Sequence, residues 1–426
     1  MRFLQFDDSI SHYLIAKSLG WLFPSIYWSW LGCLRYREMS APPLPGPDWV
    51  RIQVRYGGIC GSDLSTITLH DSPSLSAYTS FPFTLGHENV GTIAELGQEV
   101  KGFTVGERVV VEPLLGCLAR GFADLCPACA RGDPAACARR TEGIVSAGTM
   151  TGFCASTGGS WSPSFVAHQS QLLRVPPGLS DENALMSEPF AVALHAVLHN
   201  PPPEKGTALV LGAGTVGLCT VAALRALGYS NPIIVMARHP FQAEQARRCG
   251  ADNVLQSQDD QALAGALSAR LHRPILGDAL VSGGAEVVYE CIGSDPSLRT
   301  AIRFTREKGT AVLLGLAAVT RGIDLASIWL KEIAIHGSYV YGIETWQGQQ
   351  VRTMQLALNL MVEGKPDLAP LVTHRFYLKD YRQALAMVKN KSRYRLIKAV
   401  FAFDVPPHSQ GGNRVSSPTT KRPDHC

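Results

Sequence analysis

Cys117-x8-Cys126-x2-Cys129-x7-Cys137 gathers four thiols in one short stretch, while Cys60 and His87 stand well apart from it. Thiolates and imidazoles are zinc ligands, and the two groups point to different uses. Structural zinc sites are closed, tetrahedral and often all-thiolate, whereas catalytic sites mix ligand types and keep one position open. We therefore expect a structural zinc in the lobe 113–140 and a catalytic zinc near Cys60 and His87, two ions per chain. The alternative is four ordinary buried cysteines. Arg120, Asp124, Arg131, Asp133, Arg139 and Arg140 speak against it by giving the lobe a polar rather than a core character.

A second motif handles phosphate. Gly212-Ala213-Gly214-Thr215-Val216-Gly217 follows an apolar strand-like run and opens an Ala/Leu-rich helical one. This is the context in which GxGxxG binds a dinucleotide. The first glycine makes the turn, the second admits the pyrophosphate, the third allows close packing, and the helix start stabilises the phosphate charge. Cys291 and Gly293, just after the run 287–290, are assigned to the same cofactor site. An NAD enzyme would carry a carboxylate about 20 residues past the glycines to hold the ribose 2′-hydroxyl. Here the strand 233–236 ends in Ala237-Arg238, so a 2′-phosphate is favoured and NADP is expected over NAD.

The elements that must position these groups fall into two kinds. Residues 50–56 alternate as a half-buried strand, 57–64 are glycine-rich and read as a loop, and 90–95 and 108–112 are further short strands. From residue 207 onward the rhythm changes. Strands at 208–211, 233–236, 287–290 and 311–314 alternate with helices at 216–227, 240–249 and 297–305, the β-α-β pattern of a parallel sheet. A helix at 377–390 and a closing strand at 397–403 follow, and both are expected to return to the first domain. Residues 406–426, rich in Ser, Pro, Gly and Thr, should be disordered.

The bulk properties narrow the class. A length of 426 residues implies two domains, and a net charge of +4 without a long basic run makes no case for nucleic acid. Asp7 and Asp8 interrupt the apolar region a signal peptide needs. Residues 21–34 contain Pro24 and are too short for a span, while 207–224 contain three glycines, so no membrane segment is expected. The odd count of 11 cysteines suits zinc and a reducing cytoplasm better than disulfides.

GGICGSDL, GHENVG, VGERVVVEP, the cysteine lobe, SEPFAVALHAV and VLGAGTVGL occur in the order seen in the medium-chain zinc dehydrogenases, which the chain resembles from about residue 35 to 403. The resemblance implies an α/β protein: a GroES-like β-rich catalytic domain (1–189 and 336–405) split around a Rossmann doubly wound parallel sheet (190–335). Glu188-Pro189 resembles the sorbitol, threonine and glucose dehydrogenase branch, where glutamate replaces a cysteine ligand. By that resemblance Cys60, His87 and Glu188 surround the catalytic zinc, Glu88 is a direct or exchanging ligand, and Asp63 supports His87.

Three departures from the family pattern stand out. The lobe's first cysteine usually lies three residues before the second. Ala123 occupies that place, so Cys117 must serve through a longer loop. The histidine that often relays the proton in relatives is replaced by Ser65, which routes proton release through Ser62, the cofactor ribose and water. Residues 11–33 look like an insertion, and its Trp21, Trp28 and Trp30 read as core packing or a dimer contact, with a wall of the substrate cleft as the lesser alternative.

The expectation is a zinc-dependent NAD(P) oxidoreductase acting on a sugar, polyol or other secondary alcohol, assembled as a homodimer or homotetramer. The rivals are an NADPH-dependent zinc aldehyde or ketone reductase and a non-catalytic nucleotide-binding redox sensor.

Overall fold

The structure, a computed structural model, describes residues 1–256 and 259–403. The expected disordered segment 406–426 lies outside them. A six-stranded, all-parallel sheet runs in the order Asn253–Leu255, Ile233–Met236, Ala208–Leu211, Ala285–Glu290, Thr305–Leu313, Ala334–Gly337. In chain order this is 3-2-1-4-5-6, the dinucleotide-binding arrangement. The order in which strands are added reverses between Ala208–Leu211 and Ala285–Glu290, which opens a crevice at their carboxyl ends. The inner strands Ala208–Leu211 and Ile233–Met236 are apolar on both faces because helices cover both, which explains their unbroken hydrophobic runs in the sequence.

The second large sheet is mixed. Its long strand Trp49–Ile59 pairs with Asn89–Leu96, Ser164–His168 and the late strand Lys398–Ala402, so the chain's end does return to the first domain. One expectation is corrected here. Gly57 and Gly58 are strand rather than loop, and Gly61–Ile67 is a helix. A Cβ on Gly57 would lie 2.2 Å from the Ser160 carbonyl, and one on Gly58 would lie 1.9 Å from a Glu88 oxygen. The glycines serve close approach within a sheet, not a turn.

The helix Asp181–His199 joins the two halves and carries Glu188. Its apolar face shares one core with Tyr56, Val90 and Val400 on one side and Leu218, Met354 and Leu358 on the other. The division expected at residue 189/190 therefore falls inside a helix, and that at 335/336 inside the strand Ala334–Gly337. At the first boundary this follows from the packing wall that both halves share along the helix.

Residues 11–33 form the helix Ile10–Leu19 and the turn of 3-10 helix Pro24–Trp28. Trp28 is core, packed in the cluster that holds Leu378, Tyr381 and Leu385, whereas Trp21 and Trp30 are exposed. Among the described residues no helix is long and apolar enough to cross a membrane.

Candidate active site and metal centres

Cys60 is the N-cap of the helix Gly61–Ile67, and Asp63 closes a capping box by accepting the Cys60 backbone N–H at 2.9 Å. The local sequence CGSD thus fixes the thiol and a carboxylate together. The other oxygen of Asp63 lies 3.4 Å from His87 Nδ1, with both side chains buried. His87 sits in the turn before Asn89–Leu96, and the Asn89 amide pins that turn through bonds to Val111 N–H and carbonyl at 2.9 and 3.0 Å. Cys60, His87 and Glu88 place one ligand atom each within 4.8 Å of one another.

The electrostatics of this trio fit a cation. Burial alone would lower the His87 pKa, but Asp63 and Cys60 pull it well above its ordinary value. A buried imidazole set between a carboxylate and a thiol holds a positive charge that a divalent ion would replace, with Asp63 orienting the ring. Glu188 is buried beside the trio, outside the 4.8 Å set. Burial pushes its carboxyl up to about 7, His87 opposes this, and Glu88 adds to it. Tyr341 hydrogen-bonds Glu188.

Glu88 has a partner that sequence reasoning missed. Lys398 Nζ, itself buried, lies 2.5 and 2.7 Å from the two Glu88 oxygens. The carboxylate expected as a zinc ligand is therefore already neutralised by an ammonium. A lone lysine in the apolar run 397–403 was the available signal. Ser62, one residue after Gly61, is half-buried at the same helix start.

In the lobe, Cys117, Cys126, Cys129 and Cys137 bring their sulfurs within 4.8 Å of one another, with Cys117 to Cys137 at 3.8 Å. Cys117 thus reaches the set across the longer loop. Backbone N–H groups of Cys117, Cys126, Ala138 and Arg139 point at the sulfurs at 3.3–3.5 Å. The N–H groups of Cys129 and Ala138 draw the Cys126 thiol down to about 6. Such donors stabilise thiolates, the form that binds metal. The polar character read from the lobe's charges is corrected at Arg120. It is fully buried and donates to the carbonyls of Leu115, Glu142, Val145 and Gly148, tying the lobe's turns together.

At the crevice, Gly212 has φ +98°, and a Cβ on Gly217 would lie 1.9 Å from the Gly212 carbonyl. Both glycines are obligatory for that turn. Gly214 caps the helix Thr215–Ala226 with open space in front of it. The Thr215 hydroxyl donates to the Ile397 carbonyl at 3.3 Å, and Val216 is on the next step of the helix. Cys291 and Gly293 occupy the neighbouring loop, where Glu290 accepts the Ile292 and Gly293 N–H groups at 2.8 and 2.9 Å. Arg238 is exposed at the end of Ile233–Met236 and makes no salt bridge among the described residues.

Residues 46–177 match the alcohol dehydrogenase GroES-like domain, and residues 215–355 match the zinc-binding dehydrogenase domain. The chain is 28% identical to a sorbitol dehydrogenase of Halalkalibacterium halodurans, covering 83% of this chain and 92% of that protein. It is 29% identical to an L-idonate 5-dehydrogenase of Vitis vinifera, covering 84% and 89%. It also superposes on the crystal structure of 2R,3R-butanediol dehydrogenase from Bacillus subtilis with a TM-score of 0.66 at 26% identity, covering 87% and 96%.

Proposed function

The chain belongs to the medium-chain zinc-dependent dehydrogenases, in their sorbitol dehydrogenase-like branch, and on that footing we propose that it oxidises a sugar, polyol or related secondary alcohol by hydride transfer to a nicotinamide cofactor. The observation that carries this reading is the convergence of Cys60, His87 and Glu88, with Glu188 beside them. Bound by Cys60, His87 and a glutamate, zinc would supply Lewis-acid polarisation of the alcohol oxygen, and nicotinamide would supply the hydride acceptor.

The chain's own groups do the rest. Asp63 holds the His87 ring, and the Lys398 ammonium keeps the Glu88 charge balanced so that Glu188 is the carboxylate left for the cation. Ser62 Oγ relays the substrate proton, accepting it as its own hydroxyl proton passes on towards water. Ser62→Ala should therefore keep metal and cofactor binding and lose about 10²–10⁴-fold in kcat. Turnover that stays at the wild-type rate would remove Ser62 from the reaction. Screening polyols, aldoses and simple alcohols at 340 nm with both cofactors tests the activity itself. No alcohol-dependent absorbance change in a zinc-replete protein would refute it.

NADP is the proposed cofactor of choice, supported by the exposed Arg238 and the absence of a carboxylate at Ala237. A charge-assisted bond contributes about 1.5–3 kcal/mol, a preference of roughly ten- to a hundredfold. Comparing kcat/KM for the two cofactors, Arg238→Ala should abolish the preference and Ala237→Asp should reverse it. Equal use of NAD by the wild type, unchanged in Arg238→Ala, would contradict the assignment.

The same reading includes two zinc ions per chain, a homodimer or homotetramer, and a cytoplasmic setting. The exposed Trp329 and Leu330 near the edge strand Ala334–Gly337 support self-association, which light scattering tests; a monomer would refute it. The free thiols support a reducing compartment, and recovery of the protein from an oxidising one would refute that.

A further inference from the structure

His195 and His199 lie one turn apart on the helix Asp181–His199, with ring centroids 4.4 Å apart. Both turn a nitrogen to the same carboxylate. His195 Nδ1 is 2.6 Å from Glu344 Oε1, and His199 Nε2 is 2.9 Å from Glu344 Oε2. Glu344 reaches them from the hairpin of Ile343–Trp346 and Gln349–Arg352, so the cluster joins two separate elements. The three ligand atoms lie within 4.8 Å of one another.

We propose that His195, His199 and Glu344 form a further divalent-cation site of zinc class, distinct from the cysteine lobe and from the Cys60 and His87 centre. The donor set, two imidazoles and one carboxylate with a position left for water, is one that zinc accepts in an open site. Helical spacing of four residues puts both rings on one face, so the backbone already presents them together.

The surroundings are built for such an ion. The Glu344 side chain is 4% exposed while that of His199 is 57% exposed, which gives a fixed anionic floor and an open entry. Thr353 Oγ1 donates to Glu344 Oε1 at 3.0 Å and orients the carboxylate from behind, as outer partners of metal ligands do. Burial opposes ionisation of Glu344, but its bonds to His195 and His199 hold its pKa at about 2. Asp133 of the cysteine lobe adds negative potential at His199.

Metal–ligand bonds of about 2.0–2.2 Å set tetrahedral ligand atoms roughly 3.3 Å apart. The His199 contact, now 2.9 Å, needs to open by about 0.4 Å, which its exposed ring allows, and the His195 contact, now 2.6 Å, by about 0.7 Å, which a rotation of the Glu344 carboxylate or the His195 ring supplies. On binding, the protons now shared between the imidazoles and the carboxylate leave to solvent. The ion would then clamp the hairpin to the helix that carries Glu188.

The test starts from the full chain as purified, with its resident metal, equilibrated with zinc sulfate alone and counted by mass spectrometry. Wild type should take up one more zinc per chain than His199→Ala or Glu344→Gln. The affinity for that ion should fall by at least about ten- to a hundredfold in either variant. A cobalt arm assigns the donors: the additional equivalent should bring d–d bands without thiolate charge transfer. Equal uptake by wild type and His199→Ala throughout the titration would overturn the site, leaving a proton-bridged ion pair. So would an additional cobalt that shows thiolate absorption. His199→Ala changes a surface side chain, so the comparison survives if Glu344→Gln fails to fold. The count does not depend on alcohol turnover, so it stands or falls apart from the dehydrogenase reading.

Discussion

Lys398→Met is expected to destabilise the native chain by about 3–5 kcal/mol, a large effect for a single substitution, because Lys398 is buried in its strand. The cause is not the lost attraction alone. Glu88 is fully buried, and removing the ammonium takes away the group bonded to both of its oxygens. Glu88→Gln combined with Lys398→Met should recover most of the loss, because both charges then leave together. Urea midpoints for the wild type, both single variants and the double variant, all zinc-replete, give the coupling. Additive effects would show that the pair is not the source. Zinc content decides a second point in the same proteins. If Glu88→Gln sheds a metal while Lys398→Met keeps it, Glu88 belongs in the metal's shell rather than beside it.

Cys129→Ala is expected to abolish metal in the lobe and unfold it. Structural zinc contributes about 10–16 kcal/mol in zinc-finger peptides, and part of that should appear as local stability here. The four sulfurs sit in a small cluster of their own, with only Ala128, Phe122 and each other for apolar contact. Such a small cluster, even with the Arg120 hydrogen bonds, is expected to leave closure of the lobe dependent on the ion. Limited proteolysis should cut Cys129→Ala within 113–140 while the parallel sheet stays protected, and metal analysis should show one zinc fewer. Cys60→Ala should also lose one zinc but keep the lobe resistant. A wild-type protein carrying one zinc or none would end the two-site reading, and a fully resistant Cys129→Ala would show that the lobe packs without metal.

Several features were readable from residue order alone. The glycines at 212, 214 and 217, the CxxC at 126–129 and the capping sequence 60–63 are all short-range signals, in which the residue type is dictated by its immediate neighbours. Gly217 must lack a Cβ because Gly212 is five residues away, and Asp63 caps Cys60 across three residues. Alternation and apolar runs likewise reveal strands and helices, since each element's burial pattern is periodic.

What required the folded chain were pairings across long sequence distances. Lys398 meets Glu88 across 310 residues, and Glu344 meets His195 across 149. Neither meeting leaves a periodic trace, because one side chain at a sheet edge or helix turn is enough to make it. Arg120 looked like a solvated charge until the turns around it supplied carbonyl partners. Gly57 and Gly58 looked like a loop until Ser160 and Glu88 were seen to need their missing side chains. By itself the sequence determined the family's motifs, the order of elements and the types of ligand available. The tertiary structure alone decided which charges are neutralised, which thiols converge and where the two halves share a wall. Those outcomes depend on burial and distance, which exist only once remote segments pack together.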